Sequence, residues 1–188
     1  MKQDGSNFGT SFGNDASTIS LRSEAQLQGV GSDVVWLCGC YSKDDAAAPA
    51  LDGTWTNFIY LPIEDASTNP MLRTFVKYVG RDNADQFAVY AWAATMAFAE
   101  AAKAAVAKRG VNGLTRRSLL TDGIPTLTTF DAGGMIGTTN LPQSIPSPCF
   151  VLMQLKDGTY VRETPAKKGT LDCNPKNAVS IKADDIDN

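Results

Sequence analysis

The residues best placed to do chemistry are Cys38-Gly39-Cys40-Tyr41-Ser42, inside the run VVWLCGCYSKDD of residues 34–45. Two thiols flank a glycine, and a tyrosine and a serine follow at once. The pattern allows a metal clip, a redox pair, a disulfide anchor or the wall of a binding site. Two further cysteines, Cys149 and Cys173, are far from the first pair and from each other. A zinc site of four cysteines is disfavoured, because C-x-C is shorter than the usual knuckle, in which two to four residues separate the thiols. Disulfides and buried free thiols stay open at this point, with zinc the least favoured.

Catalysis has little to work with. The 188 residues contain no histidine, which removes the commonest general base and the Ser–His and Cys–His nucleophile pairs. No two carboxylates stand at a spacing that suggests a paired acid and base. Glu64, Asp65, Asp82 and Asp85 form an acidic scatter around a helix start, better explained as caps and solvated charges than as a metal site. Asp131 with Gly133, Gly134 and Gly137 lacks the Lys-Ser/Thr end of a phosphate loop and no helix follows it. The expectation is a protein that is not an enzyme, with no cofactor and no metal.

The net charge of −3 and a longest basic cluster of Arg116-Arg117 argue against a nucleic-acid surface. An apolar share of 43% suits an ordinary globular chain. No apolar segment follows Met1-Lys2-Gln3-Asp4, so no secretory leader is expected within this chain.

The elements that must position these residues can be read along the chain. Residues 1–20 are rich in Gly, Ser and Asn and read as a loose leader or loop, with modest helix character from Leu21 to Gln28. Val34–Cys38 is a continuous apolar run of strand length, the pattern of a strand buried on both faces of an α/β sheet. Thr54–Leu61 reads as a second strand, stopped by Pro62. Asn69-Pro70 opens a helix to Val79, and Asp85 caps a long one from Gln86 to Arg109. Phe87, Ala91, Ala94, Phe98, Ala101 and Ala105 line one face of the long helix, which reads as a core helix. Thr115 caps a short helix to Leu120. Asp157-Gly158 joins two β runs, 149–155 and 160–163, as a hairpin.

In this order the pieces VVWLCGCYS, GTWTNFIYLP, EDASTNPMLRTFVKYV, AVYAWAATMAFAEAA, LTRRSLL, FDAGGMIG and CFVLMQLKDGTYVRE resemble the C-terminal half of a type I periplasmic-binding protein. These are the receptor-like substrate-binding components of branched-chain amino acid ABC transporters. The resemblance runs from about residue 30 to residue 175. It implies an α/β fold of two lobes with a ligand held between them and hinge closure on binding, here incomplete and lacking the first lobe's sheet. Residues 33–62 and 148–175 would form the strands and hairpin of the C-terminal lobe. Residues 63–147 would supply helices and a turn packing on the other lobe, with 1–32 a leader and 176–188 a polar tail. Pro62 and residues 139–148 would be hinge crossings. A fragment of this kind should expose helix faces meant for the absent sheet.

The resemblance also implies a function and a site. The function is extracytoplasmic capture of an amino acid or similar small polar ligand, delivered to an ABC permease, with the signal segment absent from this chain. The partner would be a missing N-terminal lobe or a second copy. The alternative is a non-catalytic interaction or sensor module acting through protein contacts. Tyr41 and Ser42 follow the carboxyl end of a strand, where open α/β sheets bind ligands, and the family's matching loop supplies polar contacts. A packed tyrosine and a turn serine is the competing reading. Phe87 lies where family members place an aromatic at the cleft edge, against a core role. An extracytoplasmic setting favours disulfides for Cys38, Cys40, Cys149 and Cys173. A Cys38–Cys40 bond is expected to be strained, which favours tying the strand end to Cys149 or Cys173, or closing Cys149–Cys173.

Overall fold

The computed structural model describes residues 5–30 and 33–179. The chain runs β1 (Phe8–Ser11), α1 (Asp15–Leu27), β2 (Val35–Cys38), α2 (Lys43–Ala47), β3 (Trp55–Phe58), α3 (Pro70–Val79), α4 (Gln86–Arg109), α5 (Arg116–Ser118), β4 (Val151–Lys156) and β5 (Thr159–Thr164). The five strands form one sheet in chain order. β1, β2 and β3 are parallel, and β4 and β5 are added antiparallel. Helical crossovers join the parallel strands, and the Asp157-Gly158 turn joins the last two. Both turn residues have positive φ, 48° and 73°, as a two-residue hairpin of matching twist requires.

Helix ends follow local signals. The Asn69 side chain accepts from Leu72 N at 2.8 Å, and Pro70 occupies the first turn of α3, where it costs no hydrogen bond. The Asp85 carboxylate accepts from Ala88 N at 2.7 Å, and Lys108 and Arg109 close α4. Both cations reach Asp122, at 2.6 and 2.8 Å, pinning the π turn that continues α5. Their hydrogen bonds hold that carboxyl down at about 2. A Cβ on Gly123 would run into the Ala101 carbonyl, so only glycine lets this turn lie against α4.

Three expectations are corrected here. The first 20 residues are not a loose leader: Phe8–Ser11 pairs in parallel with Val35–Cys38 as the sheet's edge, and α1 begins at Asp15. Asn14 caps that helix, and the Ser11 and Thr18 hydroxyls meet at 3.1 Å. The polar composition hid a strand that pairing with β2, not its own propensity, creates. β2 is not buried on both faces. Trp36 and Cys38 are buried, whereas Val35, on the other face, is 50% exposed. On α4, Val89, Ala93, Ala101 and Ala105 point into the core, while Phe87, Ala91, Ala94 and Phe98 do not.

The expected closure of Cys149 with Cys173 is present, while the first pair departs from expectation. Cys38 joins Cys40, and Cys149 joins Cys173. The strand end is therefore not tied to the terminal hairpin. Residues two apart on extended chain point the same way, and the Cα atoms of Cys38 and Cys40 are 5.1 Å apart, within bonding reach. Residues 180–188, most of the expected polar tail, lie outside the described residues, as does the Met1–Asp4 start.

The core is largely aromatic around Tyr41, whose ring centroid lies 4.3 Å from Phe58 and 4.8 Å from Tyr160. One buried ion pair ties distant segments together. Arg162 donates to Asp65, which also accepts from Gly169 N at 3.0 Å, and Arg162 reaches the Pro165 and Thr170 carbonyls. These further hydrogen bonds offset much of the cost of burying the pair, although the Arg162 Nε is left without a partner among the described residues.

Candidate functional site

Two regions gather the residues that could hold a ligand. The first is the face at the carboxyl ends of the parallel strands, where ligands of open α/β sheets sit. There Gly39 N donates to Ser11 O at 3.0 Å, linking the ends of β1 and β2. Gln86, at the start of α4, donates its side-chain amide to the Gly39 carbonyl. A Cβ on Gly39 would stand 3.0 Å from the Phe12 ring, so glycine is what allows this approach. Phe12 is 69% exposed and Phe87 58% exposed. Tyr90, half-buried, reaches back to Tyr60 at 5.3 Å between ring centroids. These side chains present aromatic edges and carry no charge.

The second region is a cavity of about 290 Å³ beneath the loop that follows Cys40. Tyr41 and Ser42 wall it together with Glu64, Arg81 and Tyr160. The Tyr41 hydroxyl donates to Glu64 Oε2 at 2.6 Å and accepts from Ile63 N at 2.8 Å. Burial pushes the Tyr41 hydroxyl well above the ordinary tyrosine value, and the Glu64 charge adds to it. Burial does the same to Tyr160, with the Asp45 charge behind it. Ser42 accepts from Asp45 N at 3.0 Å, capping α2. Lys43 pairs with Asp82 at 3.5 Å across the mouth. Behind the wall, Asp45 is fully buried, and that burial, with the charge of Asp15, pushes its carboxyl up to about 6.

The residues singled out in the sequence thus divide. Phe87 stands exposed next to Gln86 in the first turn of α4, and Tyr41 and Ser42 line the cavity. Glu64, Arg81 and Tyr160 carry no local motif and come together only through the fold. No signal marks Phe12, because its segment reads as a loop. Among the described residues no cluster of three or more side chains could hold a metal ion, and no helix is long and apolar enough to cross a membrane.

The architecture is that of about half of a type I periplasmic-binding protein, an α/β fold with a five-stranded mixed sheet. Its structural neighbours include a solute-binding protein and a leucine-binding protein. One is an ABC transporter solute-binding protein of Rhodopseudomonas palustris in complex with benzoate, 20% identical, TM-score 0.61, matched over 83% of this chain and 42% of that one. Another is a branched chain amino acid ABC transporter protein from Thermus thermophilus with bound valine, 13% identical, TM-score 0.63, over 87% and 46%. A leucine-binding protein from Thermotoga maritima matches at 17% identity and TM-score 0.59, over 91% and 45%. At these identities the likeness is one of fold, and the chain spans less than half the length of each of these proteins. No family model and no curated protein matches the sequence.

Proposed function

We propose that this chain is the ligand-capturing half of an extracytoplasmic solute-binding protein serving an ABC permease. The observation that carries the reading is the strand-end face: three parallel strands, an aromatic-edged loop cluster and the start of α4 converge where this architecture holds its ligand. Neighbours of the same fold hold valine and benzoate, which supports a small amino-acid-like or carboxylate solute. Phe87 and Phe12 would contact it from this side, while Tyr41 and Ser42 stiffen the loop behind. The solute would be enclosed by a complementary lobe resting on the exposed apolar line of α4, which continues into an apolar groove of about 400 Å³ walled by Phe98, Leu119, Ile124 and Leu127. Whether that lobe belongs to the same polypeptide or to a second one, it supplies the same contacts.

A thermal-shift screen with valine, leucine and benzoate, run on the chain together with its complementary lobe, tests the reading. A true ligand at a hundredfold its Kd adds about 2.7 kcal/mol of stability. No shift with any of the three, with the assembly intact, counts against it. A second reading, an interaction module acting through protein contact, is favoured by the same exposed α4 face. Sedimentation showing a tight dimer through α4, with no ligand response, selects that reading.

A further inference from the structure

The segment from Ala101 to Thr121 breaks the charge pattern of the chain. It carries Lys103, Lys108, Arg109, Arg116 and Arg117 and no acidic residue, in a protein whose net charge is −3. Lys108 and Arg109 have a local reason to be there, since they face the negative end of the α4 dipole. Arg116 and Arg117 have none. They open α5, and at that end of a helix an acidic residue is the stabilising choice. A local rule broken without a local gain points to function.

The fold sets Arg109 and Arg117 around a trough of about 390 Å³ between the end of α4 and α5, lined also by Gly113, Thr115, Ser118 and Thr121. Arg116 turns to the other side of α5, onto the apolar groove. The floor of the trough is fixed: Ser118, buried, accepts from Thr115 N and donates to Gly113 O, both at 2.8 Å. A Cβ on Gly113 would stand 2.5 Å from the Arg109 Cβ, so the turn folds directly onto that arginine. A buried carboxylate aims Arg109. Its Nε donates to Asp122 Oδ2 at 2.8 Å, while Lys108 takes the other oxygen. The terminal guanidinium nitrogens of Arg109 are left without a hydrogen-bond partner among the described residues. Arg117 is exposed and makes no ion pair among the described residues. The hydroxyl protons of Ser118 and Thr121 go to backbone carbonyls. The trough therefore offers guanidinium donors, and no carboxylate lines it.

We infer that this trough is an oxyanion site that takes a phosphate group. A tetrahedral phosphate presents several oxygens, which planar guanidinium forks meet in pairs, whereas a single carboxylate satisfies one fork only. Two sources share this chemistry, a soluble phosphate or its ester and a lipid headgroup. Val111, 77% exposed, and Leu114, 40% exposed, stand on the loop beside the trough, and apolar groups next to cations are what an anionic membrane surface holds. The trough shares no residue with the Tyr41 cavity, and Phe12, Gly39, Gln86 and Phe87 take no part in it. Its occupation is independent of solute capture.

The test is calorimetric titration of the whole chain with inorganic phosphate, glycerol phosphate and acetate, beside co-sedimentation with vesicles of phosphatidylglycerol or phosphatidylcholine. Phosphate should bind at millimolar concentration, and acetate at least about tenfold more weakly. Arg117→Ala, at an exposed position that folding does not depend on, should weaken phosphate at least about tenfold. Arg109→Lys keeps a cation for Asp122 but loses the fork, and should weaken it too. Lys77→Ala removes a charge elsewhere on the surface and should change nothing. Sedimentation with phosphatidylglycerol alone, lost in Arg117→Ala, makes the lipid headgroup the source. Phosphate or glycerol phosphate binding without sedimentation makes the source soluble. The inference is overturned by absence of phosphate binding at millimolar concentration or by acetate binding equally well. It is also overturned if Lys77→Ala weakens phosphate as much as Arg117→Ala does, since net charge alone would then account for the attraction. The valine, leucine and benzoate screen reads the strand-end face, so either result stands without the other.

Discussion

The strand-end face and the Tyr41 cavity begin only two residues apart, at Gly39 and Tyr41, yet they are built on opposite plans. The face is open, aromatic and held by backbone: Gly39 lies between the Ser11 carbonyl and the Gln86 amide, with Phe12 and Phe87 standing in solvent. The cavity is mixed, with Glu64, Arg81 and the tyrosine hydroxyls set among apolar walls, and side chains from four segments line it. A surface whose apolar groups stand in water gains by being covered, whereas a cavity walled wholly by one chain keeps its shape without a partner. Substitutions should therefore damage the two regions under different conditions and to very different extents.

Asp65→Ala should be the most damaging. It strands the Arg162 guanidinium, 97 residues away in sequence and buried, with its carboxylate partner gone. Removing one member of a buried pair typically costs about 3–5 kcal/mol. Urea unfolding should show that loss, and because Asp65 follows Glu64 in the same turn, the cavity should be lost before the strand-end face. A loss below about 1 kcal/mol, the range of an exposed pair, would mean that the turn is held by other contacts and that the cavity's independence has a different source.

Cys149→Ala comes next. The bond to Cys173 closes a loop of 24 residues in sequence separation, which by chain entropy is worth about 3 kcal/mol. The Cys38–Cys40 bond closes a span of 2 and constrains the unfolded chain far less. Cys38→Ala should therefore lower the urea midpoint less than Cys149→Ala does, although both cysteines are buried. The reverse order would place the greater stabilisation at the strand end and make that face the more rigid of the two regions.

The third effect depends on pH and belongs to the cavity side alone. Burial holds the Asp45 carboxyl at about 6 in the folded chain, against an ordinary value of 3.8. A raised carboxyl favours folding in its protonated form. Its contribution is fully present below pH 3.8 and is lost as pH rises through about 6. Tm should therefore fall across that window in the native chain and stay flatter in Asp45→Asn. An identical slope in the two proteins would show that Asp45 is solvated in solution.

Much of this division was beyond reach of the sequence, for identifiable reasons. Signals that act within one turn were readable: Asn69-Pro70, Asp85 with Gly110, and Asp157-Gly158 set α3, α4 and the hairpin at the expected residues. The fold resemblance rested on the order of those pieces. Pairings across many residues were not readable. Tyr41 meets Glu64 over 23 residues, and neither carries a motif for the other. β1 exists because β2 lies beside it, so its own polar sequence held no sign of a strand. The period of α4 told which residues share a face but not what covers that face, and the aromatic line turned outward. Tyr41 and Ser42 were visible as hydroxyls after a strand end, while the turn that takes them into the cavity was not.

Phe87 gives the smallest effect and the sharpest contrast. At 58% exposure in the first turn of α4, its ring contributes little to the chain alone, and Phe87→Ala should change stability by no more than about 0.5 kcal/mol, as substitutions at exposed sites usually do. Alanine is also the better helix former there, which offsets some of the lost contact. If a complementary lobe covers α4 as proposed, the same ring would become buried surface, and truncating an aromatic in a packed contact costs about 3–5 kcal/mol. Measuring Phe87→Ala by urea unfolding with and without that lobe should turn a negligible loss into a large one. Equal losses in both states would mean that Phe87 is already packed within the chain, and the strand-end face would then be no more dependent on a second lobe than the cavity is.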